Sequence, residues 1–129
     1  MKPLAIATIC AVLASPVLAS DPAEGLWKTE PDRKKLTSHI QIAPCGAALC
    51  GRVIKAFDQQ GREVMTPNVG KPLFWDLKAL GAGRYAGGTV FVPLLNVTAK
   101  AKAELTGNTL EVIGCKGAIC DGQVWTRLK

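Results

Sequence analysis

From residue 25 onward, apolar and polar residues alternate in short runs. Turn-forming residues interrupt these runs roughly every eight to twelve positions, the spacing of an all-β sandwich or barrel. The clearest run has Val97, Ala99, Ala101, Ala103 and Leu105 alternating with Thr98, Lys100, Lys102 and Glu104. A helix would distribute these apolar residues around its axis, so period two identifies a strand. In residues 36–43, Leu36, Ser38, Ile40 and Ile42 share one face, and Thr37, His39 and Gln41 the other. Strands are likewise expected over 25–29, 49–57, 73–77, 84–92, 109–115 and 122–128. The intervening turns contain Pro31, Asp58-Gln59-Gln60-Gly61, Gly81-Ala82-Gly83, Pro93 to Asn96 and Thr106-Gly107-Asn108. Residues 62–71 read as irregular. Gly87-Gly88 inside a strand predicts a bulge or a sharp bend.

Eight strands joined by short loops close most simply as an antiparallel up-and-down barrel, which leaves no exposed edge. An open sandwich is the alternative. The alanines of residues 97–105 face inward. Small residues inside a barrel either receive large side chains from the opposite wall or leave a cavity. Trp27, Phe57, Phe74, Trp75, Phe91 and Trp125 could fill that space; a cavity would suit one small apolar ligand.

The first nineteen residues do not follow this pattern. Lys2 precedes an apolar run from Leu4 to Leu18, and Val17-Leu18-Ala19 places small residues where a signal peptidase reads. Residues 1–19 are therefore expected to be a cleaved signal peptide and residues 20–129 a single domain. The apolar run is too short for a transmembrane helix. Cys10 is not a lipidation site, because Ile9 before it is not small and both lie inside the apolar run. The mature protein is expected to be periplasmic or secreted, without a membrane-spanning segment. Removing Lys2 takes the formal charge from +6 to +5. Arg33-Lys34-Lys35 is the one basic run. It reads as a solvated hairpin tip or as a contact for an anionic surface. No basic stripe is interleaved with aromatics, so nucleic acid is not an expected partner.

Cys45, Cys50, Cys115 and Cys120 remain in the mature chain, an even number in an exported domain of this size. Each pair has the same spacing and a Gly between its members. If each pair flanks a four-residue hairpin loop, Cys45–Cys50 and Cys115–Cys120 fall within bonding range. Cross-pairing and a four-thiolate zinc site are the alternatives.

Several segments carry a resemblance. In order they are Glu24-Gly25-Leu26-Trp27-Lys28-Thr29, Ile42-Ala43-Pro44-Cys45-Gly46, Leu49-Cys50-Gly51-Arg52-Val53, Pro67-Asn68-Val69-Gly70-Lys71, Leu110-Glu111-Val112-Ile113-Gly114-Cys115 and Trp125-Thr126-Arg127. This order resembles the exported bacterial family known as domain of unknown function 2147, over essentially the whole mature chain. The resemblance implies fold and location and no activity. Members often carry an Asp-Pro turn followed by Gly and Tyr. Here Val92-Pro93-Leu94-Leu95-Asn96-Val97-Thr98-Ala99 keeps the Pro and lacks the acidic and aromatic residues. Gly25-Leu26-Trp27 and Arg127 are also similar to the calycin barrels, the group that includes the lipocalins. That resemblance implies a barrel-closing role for Gly25, Trp27 and Arg127, with the guanidinium over the indole.

No catalytic set stands out. Ser38 and the single histidine, His39, point to opposite faces of one strand and cannot act as nucleophile and base. The ten acidic residues fall mostly at turns or on polar faces. No phosphate-binding glycine loop opens a helix. No metal site and no cofactor are expected. The reading is a non-enzymatic periplasmic binding protein for a small apolar or lipid-like ligand. The alternative is a structural or interaction module that contacts anionic envelope components or another protein.

Overall fold

Nine antiparallel strands follow one another in the computed structural model, which describes Pro3 and residues 20–129. The signal peptide expected over residues 1–19 lies, Pro3 apart, outside the described residues. The strands are β1 (Gly25–Lys28), β2 (Thr37–Cys45), β3 (Ala48–Phe57), β4 (Glu63–Val64), β5 (Pro72–Gly81), β6 (Arg84–Val92), β7 (Val97–Thr106), β8 (Thr109–Lys116) and β9 (Ile119–Arg127). Sequence neighbours pair around a ring, and β1 pairs with β9 to close it. Eight strands form this up-and-down barrel. The short β4 only extends the edge of β3, inside the stretch read as irregular.

Strand direction gives the barrel two ends. The N-terminal segment, the C-terminus and the tight turns after β2, β5 and β7 share one, here called the latched end. The connections 29–36, 58–71, 93–96 and the β8–β9 turn share the other, the loop end.

Bulges decide which side chains enter the barrel. On β3, Leu49, Gly51 and Val53 point inward; Ile54 is then bulged out, and Ala56 takes the next inward position. That one extra residue turns Phe57 to the outer face. On β5 and β6, Asp76-Leu77 lies opposite Gly87-Gly88 outside the regular pairing, and Asp76 and Gly87 both have positive φ. A Cβ on Gly88 would lie 2.9 Å from the Trp75 carbonyl oxygen, so the close approach of the two strands requires glycine here.

The core is continuous and aromatic. Trp27, Trp125 and Phe74 are fully buried and share one cluster with Ile40, Ile42, Leu77, Leu110 and Tyr85. Ala101 and Ala103 belong to the same cluster and Ala99 packs against it. The small residues of β7 therefore receive large side chains from other walls, the first of the two outcomes expected for them. Only three of the six candidate aromatics do this. Phe57, Trp75 and Phe91 are half-buried on the outer side, each next to an inward neighbour, respectively Ala56, Phe74 and Val90.

Candidate functional site

The latched end is built from the first and last residues of the barrel. The backbone turns at Asp21, where Glu24 N–H donates to the Asp21 carbonyl at 2.9 Å. The Asp21 carboxylate accepts from Ala23 N–H at 2.8 Å and from the Tyr85 hydroxyl at 2.6 Å. Trp27 Nε1 donates to the Ala23 carbonyl at 2.9 Å. Arg127 lies over the Trp27 ring, 4.4 Å from its centroid, and donates to the carbonyls of Glu24 and Pro22. Gly25 has φ of +132°, and a side chain there would strike the Lys129 carbonyl and the Arg127 guanidinium. Burial, with Asp21 as acceptor, raises the Tyr85 hydroxyl far above the usual phenol range. The turn, the indole and the guanidinium thus cover this end with satisfied polar groups.

Two further segments quoted for the family resemblance meet on β3. Gly51 pairs with Phe74, whose ring occupies the space a Cβ would need. Arg52 donates to the Gly70 carbonyl, Gly70 N–H to the Val53 carbonyl at 2.6 Å, and Val53 N–H to the Lys71 carbonyl at 3.0 Å. The Pro67-Asn68-Val69-Gly70 turn is tied to the barrel wall in this way, and Val69 packs on the core. These segments build the barrel and carry no reactive arrangement.

Cys45 is bonded to Cys50 and Cys115 to Cys120, one pair at each end of the barrel. Their identical spacing hides different geometry. Both turns contain two residues, Gly46-Ala47 and Gly117-Ala118, not four. Cys115 and Cys120 are directly opposite in the ladder, whereas Cys45 is opposite Ala48 and reaches Cys50 diagonally. Gly46 and Gly117 supply the positive φ that each turn needs.

The interior offers little polar chemistry. Trp125 Nε1 donates to Gln123 Oε1 at 2.9 Å, and among the described residues no polar or charged side chain is fully buried. Two clefts lie outside the barrel. The smaller, about 320 Å³, lies on the outer face of β8 and β9 beside Glu30, Glu111 and Asp121. The larger, about 570 Å³, lies at the loop end of β1, β2 and β3. Phe57 and His39 form one wall, with ring centroids 4.6 Å apart, and Pro31 and Thr37 continue it. Lys28, Lys35, Asp58, Gln59 and Gly61 complete its lining.

Desolvation, reinforced by Lys28 and Lys55, holds the His39 imidazole below its usual pKa; Glu63 opposes this weakly. Asp58 is held below the usual carboxylate range, foremost by the Arg62 backbone N–H. Its side chain also meets Arg62 Nε at 3.0 Å. The cleft therefore combines an aromatic wall, a neutral imidazole and two lysines, an arrangement suited to a small molecule with an apolar body and an acidic group. Sequence alternation placed His39 on the polar face and missed its partner. The signal for Phe57 lay in the register of the β2–β3 hairpin, which the bulge at Ile54 shifts by one.

A closed eight-stranded antiparallel barrel with Arg127 stacked on Trp27 at one end is a lipocalin-like fold. The chain belongs to the family described as "Uncharacterized protein conserved in bacteria (DUF2147)", whose model matches residues 25–127. It is similar in structure to a protein of Helicobacter pylori described as "Protein HP1028 from the human pathogen Helicobacter pylori belongs to the lipocalin family". The TM-score is 0.66 at 17% identity, over 82% of each chain. No curated protein matches the sequence. Among the described residues no helix is long and apolar enough to cross a membrane.

Proposed function

We propose that the protein is a non-enzymatic binding protein of the periplasm, exported by residues 1–19 and acting as a single domain over residues 20–129. Its ligand is a small lipid-like molecule with an acidic head. The observation that carries this reading is the cleft walled by Phe57 and His39. The apolar body of the ligand lies against Phe57, His39 and Pro31, and its acidic head meets Lys28 and Lys35. The fully buried Trp27, Phe74 and Trp125 favour this outer position over the barrel interior. The two disulfides support export, since such bonds persist in oxidising compartments.

Titration with decanoate, followed by the His39 imidazole resonances, tests the reading. The apolar body lies against the imidazole and the carboxylate stands near the lysines, so the His39 ring resonances should shift as decanoate binds. Phe57→Ala and the pair Lys28→Ser with Lys35→Ser should each weaken binding about tenfold, a loss of about 1.4 kcal/mol. Unchanged binding in both variants, or His39 resonances that ignore decanoate, would contradict the site.

A further inference from the structure

The loop end of the barrel exposes more apolar side chain than its turns require. Met65 is 86% exposed, Ile119 78%, Leu95 65% and Leu94 44%. Met65 lies in the connection between β3 and β5, Leu94 and Leu95 lie in that between β6 and β7, and Ile119 opens β9 beside the β8–β9 turn. Turn geometry does not ask for them. In the β6–β7 turn, Leu95 N–H donates to the Val92 carbonyl at 3.2 Å and Asn96 N–H to the Pro93 carbonyl at 3.3 Å, with Asn96 at positive φ. Pro93 and Asn96 are the residue types such a turn favours; the two leucines between them serve neither the turn nor the core.

The fourth connection at this end, between β1 and β2, carries Arg33, Lys34 and Lys35, all exposed. Lys71 and Lys116 stand at the same end. Among the carboxylates there, Asp58 is paired with Arg62, and the five cations exceed the four carboxylates Glu30, Asp32, Glu63 and Asp121.

We infer that this end docks on the surface of an anionic lipid bilayer. Apolar side chains spaced around this end enter the boundary between headgroups and acyl chains, and the basic loop meets lipid phosphates. Charge complementarity favours this occupant over a protein, whose docking patch would have a charge-depleted core. The latched end has exposed apolar residues too, Leu80 and Leu128, but no basic run joins them. None of the four apolar residues lines the cleft, and neither do Arg33 and Lys34; Lys35 alone is shared with it.

Cosedimentation of the mature protein with phosphatidylglycerol vesicles and with phosphatidylcholine vesicles tests the inference. The protein should bind the anionic vesicles, and added salt should weaken binding. Met65→Ser, Leu95→Ser and Ile119→Ser combined should lower the affinity at least tenfold with unchanged near-UV circular dichroism. Arg33→Ser and Lys34→Ser combined should do the same, while Leu80→Ser and the cleft variant Phe57→Ala should bind like the wild type. Absence of binding, equal binding to neutral vesicles, or full binding by either the apolar triple or the basic double variant overturns the inference. So does a wild-type dimer in sedimentation velocity that the apolar triple variant abolishes without vesicle binding in either form; the rim would then belong to a second copy.

Discussion

The Arg127 guanidinium sits 4.4 Å from the centroid of the Trp27 ring while donating to carbonyls of the N-terminal turn. One side chain from the last strand thus holds the first strand and the segment that precedes it. Stacking of this kind contributes about 0.5–2 kcal/mol. Each lost hydrogen bond adds about 1 kcal/mol. Arg127→Ala should therefore destabilise the protein by about 2–4 kcal/mol in urea unfolding, on these increments. Arg127→Lys keeps the charge and loses the planar fork, and should fall between the two. Wild-type stability in Arg127→Ala would contradict the latch.

Tyr85 is the one tyrosine in the chain, so absorbance at alkaline pH reads it without interference. Its hydroxyl donates to Asp21, and burial disfavours the phenolate. The folded protein should titrate well above the ordinary value of 10.0. Because the folded pKa is raised, the stabilisation is complete below the unfolded value and is lost as pH rises toward the folded one. Tyr85→Phe should cost about 1–2 kcal/mol at neutral pH and remove this alkaline dependence. A midpoint at the ordinary value would show that Asp21 does not engage the hydroxyl.

His39 should behave in the opposite sense. Its pKa is lowered from 6.5 by desolvation and then by Lys28 and Lys55. The unfolded chain takes up the proton more readily, so the stability contributed by neutral His39 is present above pH 6.5 and is lost as pH falls through the folded pKa. Proton NMR of the one histidine should give a midpoint below 6.5 that moves upward in Lys28→Ser. A midpoint at or above 6.5 would remove the electrostatic description of the cleft.

The disulfides close short loops at opposite ends of the barrel. In the chain-entropy model each such loop contributes about 2 kcal/mol. Replacing either pair by serine should lower stability by about that amount, and replacing both should give nearly the sum, since the sites share no partner. Peptide mapping should recover Cys45 with Cys50 and Cys115 with Cys120. A cross-linked fragment joining the two hairpins would contradict this connectivity.

The strands and the ring they form were legible because period-two alternation and turn chemistry agree along most of the chain, most plainly in β7. Trp27 and Arg127 were legible through resemblance to barrels that stack these residues. Phe57, Trp75 and Phe91 were not, because one-residue shifts decide the face on which a strand residue lies, and alternation alone does not locate such shifts. The bulge at Ile54 brings Phe57 beside His39 and makes the cleft wall. Asp21 and Tyr85, 64 residues apart, meet only once the barrel is closed, so no local pattern announces their bond.

Native mass spectrometry of the mature protein purified from a periplasm tests the central claim most directly. The account predicts extra mass that is lost on denaturation, belongs to an acidic lipid-like molecule, and is diminished in Phe57→Ala. A wild-type protein that carries nothing and takes up no decanoate, or an adduct that Phe57→Ala retains in full, would contradict it.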